Sequence, residues 1–295
     1  MSNAVPPLLT ALVDDAAVFP PGSAALTDAL PAHANHRAAW YAPLVGPLLI
    51  PVAERDAFRA VAPPGTAVGL VGEPGSVEAA LGDLPAGTCQ IESPVAKRGE
   101  DPRPGIERLA ALMRKREEPW QWYLEVPLAW GLMSALDLIA ALRAEGLPIA
   151  AKLRTGGLAA ELFPTPVELA AVICACRDRG LPFKLTAGLH HAVRRTDAET
   201  GLVHHGFLNI LAAVLAAADG AEPAELAGVL SVTEPYPLAE RVRPALGRER
   251  PLWVAFGSCS VQDPVADLVA LGLLERPRPT PDPPTVPGSA PGGAG

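Results

Sequence analysis

The chain has 295 residues, a formal net charge of −8 and 49% hydrophobic residues, which excludes a disordered chain or a small disulfide scaffold and leaves room for a sizeable core. The 24 basic residues are twenty Arg and only four Lys, at Lys97, Lys115, Lys152 and Lys184. With an acidic balance and no basic cluster, no nucleic-acid partner is expected. No apolar stretch reaches the ~18 residues of a membrane span and Met1 to Pro6 lack a leader-like pattern, so a cytoplasmic protein without membrane contact is expected. The four cysteines, Cys89, Cys174, Cys176 and Cys259, fit a reduced compartment.

Short apolar runs followed by helical periodicity recur along the chain. Strands are predicted at Ala17 to Phe19, Leu48 to Val52, Ala67 to Val71, Thr88 to Ser93, Gln121 to Val126, Ile149 to Arg154, Pro182 to Ala187 and His205 to Ile210. Helices are predicted between them, at 54–61, 76–81, 105–115, 133–145 and 165–179, with Pro166 in the first turn of the last. An Ala-rich helix from Leu211 to Ala218 follows the eighth strand. Trp253 to Gly257 reads as an additional strand and Gln262 to Leu273 as a terminal helix. From Arg276 onward seven Pro and four Gly fall within twenty residues, and residues 276–295 are expected to be a disordered tail.

Eight strands alternating with helices imply a parallel sheet, and residues 1–275 are expected to form one (β/α)8 barrel of the TIM type, with the additional strand and helix at its C-terminal end. An open doubly wound sheet is the alternative, but no G-x-G-x-x-G follows the first strand.

Strand alternation then selects the residues that face inward. Gln90 and Glu92 share a phase opposite Ile91, and Tyr123 and Glu125 one opposite Leu124. Lys152 and Arg154 alternate with Ala151 and Leu153, Lys184 and Thr186 with Phe183 and Leu185, and Asn209 stands opposite Leu208 and Ile210. The large apolar side chains of barrel strands face the helices, so Glu92, Glu125, Lys152, Arg154 and Lys184 are expected to converge inside. These five carry one more cation than anion, which suits an anionic or carbonyl-bearing small molecule. An ion-pair layer that holds the barrel shut would use the same residues, at a cost of several kcal/mol per buried ion before pairing returns anything. The loops that follow, Arg154-Thr155-Gly156-Gly157 and Thr186-Ala187-Gly188, could bring backbone N–H groups close to an oxyanion. Asp14 and Asp15 precede a Phe-Pro-Pro turn, and either could be an acid in the site or a cap; Asp15 is counted with the substrate contacts.

Lys152-Leu153-Arg154-Thr155-Gly156 and Phe183-Lys184-Leu185-Thr186-Ala187-Gly188 resemble the segments that end the sixth and seventh strands of class I deoxyribose-phosphate aldolases. That resemblance covers about 40 residues and implies a Schiff-base lyase on a small polar or phosphorylated carbonyl compound. Lys152 would form the imine, Lys184 would lower its pKa by like-charge repulsion, and Glu125 or Glu92 would shuttle protons. The sequence departs from the aldolase pattern at Arg154 and at Gly188-Leu189-His190-His191. Over its whole length the chain resembles a group of hypothetical bacterial proteins of actinobacterial type. They share Asp15 to Pro21, Lys152 to Gly157, Phe183 to His191, His205 to Asn209 and Phe256 to Ser260.

All six histidines fall in close pairs: His33 and His36, His190 and His191, His204 and His205. His190 is the best placed for an acid, base or phosphate contact. With His191 and Glu92, Glu125 or Asp15 it could also build a metal-dependent hydrolase, although no H-x-H or H-E-x-x-H spacing is present. The reading adopted needs no metal and no cofactor. Cys259, in Gly257-Ser258-Cys259-Ser260, would need a nearby base to act as a nucleophile. A non-catalytic small-molecule binder is the third class.

Overall fold

The computed structural model describes residues 5–277. Strand β1 is Val13–Asp15, followed by helix α1, Leu26–Ala38. Four units follow: β2 Val45–Pro51 with α2 Arg55–Val61, β3 Val68–Val71 with α3 Pro74–Ala80, β4 Thr88–Pro94 with α4 Arg103–Met113, and β5 Gln121–Glu125 with α5 Leu132–Ala144. Then come β6 Ile149–Arg154, α6 Pro166–Asp178 and β7 Phe183–Thr186. A small antiparallel hairpin, β8 Arg195–Thr196 with β9 Val203–His204, leads into α7 Phe207–Ala218, α8 Pro223–Leu230 and α9 Pro235–Val242. The chain ends in β10 Trp253–Ser258 and α10 Gln262–Ala270.

Strands β1 to β7 pair in chain order, and β10 closes the sheet between β7 and β1, giving a closed eight-stranded barrel with every pairing parallel. The expected α/β barrel of the TIM type is therefore observed. Two strand assignments differ from the sequence reading. The first strand lies at Val13–Asp15, and Ala17 to Phe19 form the turn after it. The eighth barrel strand is β10, not His205 to Ile210, whose residues from Phe207 on open helix α7. Nearly all of α7 is buried, from Phe207 through Leu215, because it packs against α6, α8 and α9. The predicted helix from Leu211 to Ala218 is present, and the short apolar run at its start cannot be told from a strand by periodicity alone.

Local signals explain several boundaries. Thr165 caps α6: its Oγ1 accepts from Glu168 N at 3.2 Å while Glu168 Oε2 accepts from Thr165 N at 2.7 Å, satisfying two otherwise unpaired amides. Helices α3, α4, α6, α8 and α9 carry Pro in the first turn, where a missing N–H costs nothing. The main core lies between sheet and helices and includes Trp122, Leu124, Leu153, Leu185 and Phe256. The Phe256 ring stacks on Phe207 of α7 at 5.6 Å between centroids. Below the barrel the Arg250 guanidinium donates to the carbonyls of Trp253, Leu8 and Thr10 at 2.6, 2.6 and 3.0 Å. Burial brings its pKa down to about 10. The Pro/Gly-rich segment from 278 on lies outside the described residues.

Candidate functional site

The barrel interior is polar where most cores are apolar. Lys184 of β7 is fully inaccessible, and its Nζ bonds Asp14 Oδ2 of β1 and Glu92 Oε1 of β4, the latter at 2.5 Å. The second oxygen of Glu92, which is 1% exposed, pairs with Lys152 Nζ of β6 at 2.8 Å. Lys152 Nζ also lies 2.8 Å from Glu125 Oε2 of β5. The other Glu125 oxygen takes Arg154 Nε at 3.1 Å and Nη2 at 3.0 Å. Asp14, Lys184, Glu92, Lys152, Glu125 and Arg154 thus form one line of alternating sign. Gln90 Nε2 donates to both Asp14 and Glu92 at 2.9 Å, and the Tyr123 ring lies 4.8 Å from Lys184 Nζ.

Strand register brings this about. Glu125 stands beside Lys152, and Lys152 beside Lys184, on neighbouring strands. Absent side chains make the room: a Cβ on Gly46 would sit 1.9 Å from Asp14 Oδ1, and one on Gly69 2.7 Å from Gln90 Cγ. The sequence-derived set of five carries a surplus positive charge; Asp14 removes it, leaving three carboxylates against three cations. Placing the first strand at Ala17 to Phe19 denies Asp14 a strand phase. Asp15, on the opposite face of β1, points away from this line. Its Oδ2 pairs with His33 Nδ1 of α1 at 3.0 Å and its Oδ1 accepts from Ala17 N at 3.1 Å.

Burial works against every charge in the line and pairing works for it, and the balance differs along its length. Burial raises the Glu92 carboxyl, but two ammonium groups more than offset this and hold it down at about 2. Glu125 also lies below the ordinary carboxylate range, because the attraction of Lys152 and Arg154 exceeds the cost of burial. Asp14, with one cation, is pushed up by burial. Both lysines are raised, since their carboxylate neighbours outweigh burial. This corrects the expectation that Lys184 depresses Lys152. Glu92 stands between the two ammonium groups and converts repulsion into two attractions.

The line surfaces at the C-terminal mouth. Glu125 is 17% exposed and Arg154 42%, and both line a cavity of about 420 Å³ whose walls include Val126, Leu128, Leu132, Met133, Leu162 and Val172. Arg98, from the loop after β4, crosses its rim, with Nη1 donating to Leu128 O at 3.2 Å and Glu161 O at 3.3 Å. The β-strand phase pattern does not reveal Arg98, which lies in a loop.

The other sequence candidates have structural partners. Thr155 Oγ1 donates to Ala187 O at 2.7 Å. Gly156 lies against the backbone of Gly188, 2.9 Å from where its Cβ would meet Gly188 Cα. Gly157 is covered by Leu162, and Gly188, at φ +78°, occupies the left-handed region that favours glycine. The two loops are therefore closed on each other, with Thr186 at the end of β7 half-buried beside them. Replacing Gly156 with Ala should cost about 1–3 kcal/mol through backbone collision, measurable by urea denaturation; unchanged stability would show that the loops are free to part. Asn209 is not on a barrel strand. Fully buried on α7, it donates to Val229 O at 3.0 Å and Val232 O at 2.8 Å and accepts from Arg194 N at 2.9 Å.

Cys259, after β10, does have a base beside it: its Sγ lies 3.6 Å from His190 Nδ1. Burial pushes the Cys259 thiol up and the His190 imidazole down, so the pair is neutral. His191 Nδ1 sits 3.3 Å from Asp267 Oδ2. His204 and His205 lie at this same end of the barrel: His204 Nδ1 is 3.1 Å from Gly188 O, and His205 Nε2 is 2.7 Å from Pro164 O. Burial holds His205 down at about 4. Among the described residues no three His, Cys, Asp or Glu side chains are grouped to hold a metal ion, and no helix is long and apolar enough to cross a membrane.

No protein-family model, curated protein or solved structure matches the chain.

Proposed function

We propose that the protein is an enzyme that moves protons on a small carbonyl compound at the C-terminal mouth, with Glu125 as base and Lys152 as proton donor. The observation that carries this reading is that Glu125 lines the cavity and contacts the buried Lys152 behind it at 2.8 Å. The pair is already in the required states. Glu125 is held ionised and Lys152 protonated, so neither group has to be charged or discharged before reaction at neutral pH. In the step proposed, Glu125 takes a proton from the carbon beside the carbonyl. The C–H electrons form the C=C bond, and the carbonyl oxygen takes a proton from Lys152 to give the enol. Arg154, on the same carboxylate, orients the substrate.

The test is deuterium incorporation beside the carbonyl, followed by NMR in D2O with aldehydes, ketones and oxo acids. Exchange is expected to be level across the neutral range and to fall by about 10²–10⁴-fold in Lys152→Met, with partial recovery in Lys152→Arg. Equal exchange in Lys152→Met overturns the assignment.

One observation favours a second reading, the imine-forming lyase. Glu125 is a single hydrogen bond from Lys152 Nζ and can receive its proton, freeing the amine to attack the carbonyl carbon. Borohydride separates the two: an adduct present in the native protein and lost in Lys152→Met assigns the imine, and its absence assigns proton donation.

A further inference from the structure

The cavity is built for more than the carbonyl group. Arg154 is the only cation of the buried line that is substantially exposed, and its Nε and Nη2 face one oxygen of Glu125. Its Nη1 has no hydrogen-bond partner among the described residues and is free for a ligand. Arg98 faces the same space, engaged only with two backbone carbonyls. Arg154 and Lys152 grip the same carboxylate at 3.0 and 2.8 Å, so an anionic group on Arg154 lies beside the proposed base. The walls beyond are aliphatic, formed by Leu128, Leu132, Leu162 and Val172. Glu161 and Glu168, both exposed, also line it and oppose a second negative charge there. The glycine loops that could cradle a phosphate are packed on each other through Gly156 and Gly188.

We infer that the substrate is a 2-oxo acid with an apolar side chain, its carboxylate on Arg154, its ketone facing Glu125, and its chain along the aliphatic walls. This rests on the proton-transfer reading above and names the substrate class for that site. It departs from the phosphorylated carbonyl compound that the aldolase-like segments imply: a monoanion with a greasy tail fits the lining, and a phosphate dianion does not.

Calorimetric binding to the full chain tests it, with pyruvate, 2-oxohexanoate, hexanoate and inorganic phosphate as probes, alongside deuterium exchange for the two oxo acids. 2-Oxohexanoate is expected to bind at least tenfold more tightly than pyruvate, because each added methylene is buried. Phosphate is expected to compete with neither. Arg154→Leu should weaken all three carboxylates by tenfold or more. Leu132→Trp and, independently, Val172→Trp should bring the ratio of 2-oxohexanoate to pyruvate affinity towards one, which two unrelated folding defects would not both do. Equal affinities for the two oxo acids, preferential phosphate binding, or no binding of any probe overturns the substrate class. Preferential binding of 2-oxohexanoate without exchange retains the substrate class and overturns the proton-transfer reading. Exchange without chain-length preference does the reverse.

Discussion

Lys184→Met is expected to lower the unfolding free energy by about 3–5 kcal/mol, read as a shift of the urea midpoint at unchanged slope. The length of the side chain is preserved, so no large cavity forms; what is lost is the charge that Asp14 and Glu92 share. Asp14 is left with Gln90 as its hydrogen-bonding partner, in a buried position. The sign of the pH dependence follows. In the native protein the Lys184 pKa is raised above its ordinary 10.5, so its contribution is fully present below that value and is lost as pH rises through the raised one. In the variant the unpaired carboxylate is the liability, and because Asp14 is already pushed upward by burial, mild acid should neutralise it. The deficit is therefore expected to be smaller at pH 5 than at pH 8. A variant within about 1 kcal/mol of the native protein at both pH values would mean that the ion pair offsets only its own desolvation.

Glu92→Gln should be of comparable size with a different signature. Glu92 is the one anion that touches both lysines, and an amide in its place presents at most one acceptor oxygen and an N–H₂ group to a second ammonium. With the folded pKa near 2 against an ordinary 4.5, linkage assigns this carboxylate roughly 3 kcal/mol at neutral pH. The pKa is depressed, so that contribution is present above 4.5 and disappears as pH falls towards 2. The variant should be less stable than the native protein at pH 7, and its stability should fall less steeply between pH 4.5 and 2 because the titrating group is gone. Denaturation midpoints across that interval measure both. An unchanged acid limb would place the titration on other carboxylates.

Much of this arrangement is legible in the sequence, for reasons that also explain what is not. Strands β4 to β7 carry their ionisable residues in one phase of the two-residue alternation, so Glu92, Glu125, Lys152, Arg154 and Lys184 can be assigned to one face from period two alone. Helix α6 carries its capping box as Thr165-Pro166-Val167-Glu168 and can be placed to within a residue. Strand β1 has only three residues, two of them Asp, a type depleted in strands. The nearby Ala17-Val18-Phe19 run is the stronger local signal, and Asp14 is lost with the true strand. Helix α7 is read correctly from Leu211 to Ala218, but its first turn, Phe207 to Ile210, is an apolar run too short to tell from a strand, and Asn209 is carried into the barrel with it. Gly156 and Gly157 illustrate a third limit. Glycines that admit a ligand and glycines that admit another backbone look alike until the atoms facing them are known. Cys259 and His190 are 69 residues apart, and only the closure of β10 against β7 makes them neighbours.

That closure has a kinetic side. The charge line draws on β1, β4, β5, β6 and β7, and its Asp14 to Lys184 contact joins residues 170 positions apart. The barrel is sealed only when β10, near the end of the described chain, pairs with both β1 and β7. A partly assembled barrel therefore exposes half-neutralised charges to an interior that cannot yet exclude water, and gains little from any one strand added early. The contacts that close the barrel are the most distant in sequence, and such contacts are expected to slow folding because their loop-closure entropy is met before they form.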